Sequence, residues 1–267
     1  MAVISKPIQN SAHWYKSDAT PFHSVPKADG SGDRVTTLTD ARKMGLYPSV
    51  TSINGVFAKP QLEQWKVNQA VLATLKYPKT PEETEEFYCK RIASASMEQV
   101  SDAADLGSKI HAALELGTAG QEFNPELKIY VDPVLEWFKK TGIEIIEREK
   151  TLVNLSNGFA GTTDVLFRYG NNGIGILDYK TRKTTPGEKV SAYDGQAMQL
   201  AAYASTYFGE ENISRVLAAN IFISSTEPGR FEVIKHTDLL KHWQAFKLAC
   251  ALWRYTRNYD PRIQNKQ

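Results

Sequence analysis

The sequence predicts a mixed α/β (α+β) protein in which a sheet core is flanked by helices and preceded by a helical extension. Three observations carry this. From roughly Ile143 to Ser225 the apolar pattern reads strand, strand, strand, helix, strand. An Asn171-Asn172-Gly173 turn separates two runs, AGTTDVLFR and GIGILDYKT, whose Val, Ile, Leu and Phe content suits two antiparallel strands. Between Pro60 and Thr141 apolar residues recur at helical intervals instead. Three regions follow: an irregular arm over 1–59, a helical region over 60–142, and a sheet core with a C-terminal helix over 143–267.

The chain has 267 residues, 42% of them hydrophobic, enough for one large domain with an extension. A net charge of +2 excludes a global basic field, so any contact with nucleic acid must be local. The two cysteines, Cys89 and Cys250, are too few for a zinc or iron–sulfur site and read as buried thiols of a reducing compartment. The N-terminal MAVISKPIQN has no apolar core, and no apolar run approaches the ~18 residues of a membrane span. A soluble, cytoplasmic protein is expected.

In chain order, residues 1–35 lack any sustained periodicity, and two readings of Trp14 and Tyr15 are open: stacking on bases, or packing onto the core. Ser49 and Thr51 in PSVTSINGVF suit either a phosphate contact or a helix cap. A helix starts after Pro60, with Leu62, Trp65, Gln69, Leu72 and Leu75 close to a helical repeat. From Pro81 to Gly117 one long or two consecutive helices open on the acidic turn PEETEE. There Leu106, Ile110, Ala113, Leu114 and Gly117 form the buried stripe, with His111 at its border. Another helix runs from about Pro125 to Thr141 and stops at Gly142.

IEIIEREKTLV opens the sheet, and Glu147, Glu149, Thr151 and Val153 share one of its faces. In the hairpin that follows, Asp164 and Asp178 come together, and alternation puts Ile174, Ile176, Asp178 and Lys180 on one side with Leu177 and Tyr179 on the other. Two carboxylates and an ammonium aimed at one point suit phosphodiester hydrolysis: the carboxylates hold a divalent cation and the lysine meets developing negative charge. An ordinary exposed strand edge is the plain alternative. Arg182, Lys183 and Lys189 follow, either as phosphate contacts or as a solvated loop. The next helix aligns Gln196, Gln199 and Tyr203 on one face. VLAANIFIS and RFEVIKH read as strands, and a closing helix from about Leu239 to Tyr255 offers Leu240, Trp243, Phe246, Leu248 and Trp253 to the core. His236 and His242 have no partner at ligand spacing and read as surface residues.

In order, a helical His111, Gly161-x-x-Asp164, Asp178-x-Lys180 and Gln199-x-x-x-Tyr203 resemble the RecB-like branch of the PD-(D/E)xK nucleases. That family includes phage-encoded exonucleases and the mitochondrial genome-maintenance exonuclease, whose Pro-Ser-Val-Thr segment is similar to Pro48–Thr51. The resemblance implies a restriction-endonuclease-like fold, with its helical part over the active site, and a magnesium- or manganese-dependent deoxyribonuclease. It further implies His111, Asp164, Asp178 and the Tyr179 carbonyl as metal ligands, Glu149 as an auxiliary acid, and Gln199 and Tyr203 as holding nucleic acid. For Glu149, a salt bridge to Arg148 or Lys150 is the competing reading.

An exonuclease acting on single-stranded DNA or a duplex end, in recombination, repair or degradation, is the expected activity. A single-strand-binding or annealing protein is an expected partner. An endonuclease on the same chemistry, and a non-catalytic binding module, are the alternatives.

Overall fold

The computed structural model describes residues 13–264. The elements run β1 (Trp14–Tyr15), β2 (Ser24–Pro26), β3 (Asp33–Val35), α1 (Leu38–Met44), β4 (Tyr47–Pro48), α2 (Val50–Ile53), α3 (Pro60–Lys76), α4 (Glu85–Thr118) and α5 (Lys128–Thr141). Then follow β5 (Glu144–Asn154), β6 (Phe159–Tyr169), β7 (Gly173–Arg182), α6 (Asp194–Phe208), β8 (Val216–Ser224), β9 (Phe231–His236) and α7 (Leu239–Arg257). The stretch read as strand, strand, strand, helix, strand is β5, β6, β7, α6 and β8.

Five strands form one mixed sheet in the order β5-β6-β7-β8-β9, in which only β7 and β8 run parallel. That parallel pair requires a crossover, and α6 supplies it. Side chains alternate between two apolar clusters. Leu166 and Ile176 face Leu200 of α6 and Trp243 and Phe246 of α7. Val165, Phe167, Leu177 and Tyr179 face Ile110 and Leu114 of α4 and Val131 and Val134 of α5. The sheet is thus covered on both sides, and the expected alternation along β7 holds.

Several readings need correction. The loop between β6 and β7 is Gly170–Asn172, with Gly173 already paired to Tyr169; Gly170, at φ +54°, takes the left-handed turn position. The helical pattern from Pro81 resolves into one 34-residue helix capped by Thr84. The described part of the arm is not irregular: β1 pairs with β4 and β2 with β3. Trp14 is fully buried, edge-on to Trp253 and Tyr259, so core packing is its role, as it is for buried Tyr15. Residues 1–12 of the arm lie outside the described residues.

Leu62, Trp65, Leu72 and Leu75 are exposed on α3, which packs against α4 and buries Ala73. Leu240 and Leu248 are exposed on α7, leaving Trp243, Phe246 and Trp253 as its buried face. None of the described helices is long and apolar enough to cross a membrane.

The cysteines also differ from expectation. Cys250 is buried, and burial pushes its thiol up to about 12, whereas Cys89 is exposed on α4. Because the thiolate is the reactive form, iodoacetamide on the folded protein should modify Cys89 and spare Cys250 until denaturant is added. Peptide mass mapping before and after unfolding checks this; equal labelling in the native state would contradict the packing of α7.

Candidate metal centre

The site begins where β6 and β7 part. Their antiparallel pairing runs from Tyr169↔Gly173 to Val165↔Leu177. Beyond that pair the Tyr179 N–H donates instead to Asp164 Oδ2 at 2.5 Å, so a side chain completes the ladder that the backbone leaves. The end of the sheet opens there, and four elements bring polar groups to it.

From β5 comes Glu149, whose φ of +42° is left-handed and uncommon for a residue with a side chain. Its neighbours are committed elsewhere: Arg148 donates to the Thr118 carbonyl and hydroxyl, and Lys150 pairs with Glu147 at 3.1 Å. The salt-bridge reading of Glu149 is therefore not what the structure has. From α4 comes His111, with Nδ1 3.7 Å from Asp164 Oδ2 and the ring edge-on to Tyr179. One ligand atom each of His111, Glu149 and Asp164 lies within 4.8 Å of the others.

Asp178 stands beside this group. Its Oδ2 accepts from Lys180 Nζ at 2.5 Å and from Asn220 Nδ2 at 2.6 Å, while Gln199 Nε2 is 3.4 Å from Oδ1. The converging trio thus holds Glu149 where sequence reasoning expected Asp178.

Negative charge exceeds positive charge here. Burial, then the Asp178 charge, raise the Asp164 carboxyl well above the usual range against the opposing pull of Lys180. Burial, with Glu115 and Asp178, pushes Glu149 up to about 7. For Lys180 the largest influence is burial, which favours the neutral amine, yet Asp178 and Asp164 together outweigh it and its pKa rises. Burial also favours the neutral His111 ring. Carboxylate oxygens and an imidazole nitrogen, with this surplus of negative charge, fit a divalent cation.

The remaining candidates divide. Gln199 reaches Asp178, whereas Gln196 turns back to accept from the Tyr193 N–H at the start of α6. Tyr203 is buried, its hydroxyl occupying the place where a Cβ on Gly161 would sit. Ser49 is buried and caps α2 by accepting from the Ser52 N–H; its hydroxyl also meets that of exposed Thr51 at 3.0 Å. Arg182 donates to the Ser191 carbonyl and lies over the rings of Tyr193 and Phe222, while Lys183 and Lys189 are exposed. Sequence reasoning missed Asn220, which is fully buried, and took His236 for a surface residue when its Nε2 is 2.7 Å from Asn220 Oδ1. A polar residue inside the apolar run VLAANIFIS was the available signal.

Gly161 yields a direct test. Gly161→Ala places a methyl against Tyr203 and should destabilise the fold by about 1–3 kcal/mol, with partial recovery in Gly161→Ala/Tyr203→Phe. Gly55→Ala, where no atom lies within 4 Å, is the matched control and should change little. Thermal melts of the three variants make the comparison; equal melting temperatures for the two single variants would refute the close approach.

No family model and no curated protein matches the sequence. Among solved structures, one titled "Crystal structure of SSO0001" aligns at 15% identity with a TM-score of 0.36, covering 76% of this chain and 89% of that one. A likeness of that size carries no argument about fold or activity.

Proposed function

We propose that this chain is a metal-dependent deoxyribonuclease with a restriction-endonuclease-like core, acting as an exonuclease at a DNA end. The observation that supports this most is the gathering of Asp164, Asp178, Lys180, Glu149 and His111, from three strands and one helix, at the opened end of a sheet. Structural ion pairs seldom gather three carboxylates, two of them buried, around one lysine, because the unpaired charge costs stability.

In this reading His111, Glu149 and Asp164 hold the cation, with the Tyr179 carbonyl and Asp178 adjoining. When bound, magnesium or manganese polarises the scissile phosphate and lowers the pKa of water. Lys180, kept protonated by Asp178 and Asp164, offsets negative charge as it develops on the phosphate. Gln199 orients Asp178 or contacts the strand, and Arg182 and Lys183 meet flanking phosphates. An imidazole ligand favours manganese, which accepts nitrogen more readily than magnesium does.

Asp178→Ala and Lys180→Ala should each lower cleavage by at least about a hundredfold while circular dichroism stays native. Near-wild-type turnover in either would remove the assigned centre.

The end requirement rests on α4. The helix that carries His111 packs across the sheet through Ile110 and Leu114, so the site is covered from that side and is entered more readily by an end than by a continuous strand. End-labelled linear and closed circular single-stranded DNA, at equal nucleotide concentration with manganese or with EDTA, make the comparison. Only the linear substrate with manganese should be degraded; comparable initial rates on the circle would favour an endonuclease instead.

A further inference from the structure

The buried amide of Asn220 lies between the Asp178 carboxylate and the His236 ring, and these contacts have a direction. Asn220 on β8 is the register partner of Asp178 on β7, and it is fully buried. Its Nδ2 lies 2.6 Å from Asp178 Oδ2 and 3.4 Å from the Asp178 carbonyl. Its Oδ1 lies 2.7 Å from His236 Nε2 on β9.

An ionised carboxylate only accepts hydrogen bonds, so Asn220 must present its amide nitrogen to Asp178 and its oxygen to His236. That oxygen also only accepts, so His236 must donate from Nε2. The order Nε2–H to Oδ1, then Nδ2–H to Oδ2, is therefore imposed on the whole chain by the charge at one end. Lys180 Nζ loads the same Oδ2 at 2.5 Å. One oxygen of Asp178 thus carries two donors, while the other has only the 3.4 Å approach of Gln199.

We propose that Asn220 and His236 are positioning residues that fix the Asp178 carboxylate so that Oδ1 faces the metal group, an inference that rests on the nuclease reading above. Asn220 sets the rotamer by its bond to Oδ2. His236, half-buried at the end of an edge strand, keeps the amide from flipping. A flip would turn the Asn220 oxygen toward Asp178 and drive the carboxylate out of place. Partners of this kind, which hydrogen-bond a carboxylate at a metal site, typically contribute 10- to 100-fold in affinity.

The test titrates wild type, Asn220→Ala, His236→Leu and His236→Gln with manganese chloride, reading free Mn(II) by electron paramagnetic resonance, with a thermal melt of each. Asn220→Ala should bind manganese about 10- to 100-fold more weakly, and His236→Leu should weaken binding in the same direction. His236→Gln, whose side-chain amide still donates, should bind nearly as wild type. A merely structural role would lower melting temperatures without this pattern of loss and rescue. If Asn220→Ala fails to fold, the two His236 variants decide. Wild-type affinity in His236→Leu, or equal losses in the Leu and Gln variants, would overturn the inference and leave the nuclease reading standing. A wild-type chain that binds no manganese would overturn both.

Discussion

The hydrogen bond from the Tyr179 amide to the Asp164 carboxylate is the constraint on which the rest of the centre depends. β7 is paired with β8 from Ile174 to Arg182, so only its other edge is free to open. Opening it would leave a buried amide unpaired, at a cost of about 1–3 kcal/mol. Asp164 covers that amide with one oxygen, and the strands separate without penalty. The gap so formed is where His111, Glu149 and Lys180 arrive, so one side chain both ends the ladder and begins the site.

The electrostatics follow from that geometry. Asp164, Asp178 and half-buried Glu149 are gathered with exposed Glu115 nearby, against one ammonium, and burial denies the two aspartates the solvent that would separate their charges. The chain tolerates this because one oxygen of Asp178 accepts from both Lys180 and Asn220. Left over is a carboxyl pair, Asp164 and Glu149, whose protons are held more tightly than usual. A group that gives up protons only when a stronger positive charge replaces them is a natural acceptor for a cation.

How much of this was legible in the sequence depended on what local spacing encodes. The hairpin brought Asp164 and Asp178 together, and the period of two assigned Lys180 and Tyr179 to their faces, because both rules act over a few residues. His111 stood at the edge of a helical stripe for the same reason. Asn220 showed only as a polar residue in an apolar run; its partners were not legible, since they lie across one parallel and one antiparallel pairing that no spacing in the chain announces. For Ser49 two readings stood level until the fold showed it closing the N-terminus of a short helix. The exposed apolar face of α3 shows the reverse failure: a helical repeat records which residues line up, not whether anything covers them.

Tyr203 sets its ring and hydroxyl into the space that a side chain at Gly161 would occupy. Helix and strand are therefore keyed together, like a pin in a slot, and α6 cannot slide along β6 without driving the phenol into the backbone. Gln199 hangs one turn back on the same helix, over Asp178. The depth at which it hangs is thus fixed by a missing methyl group, a dimension of the site written in no atom of its own.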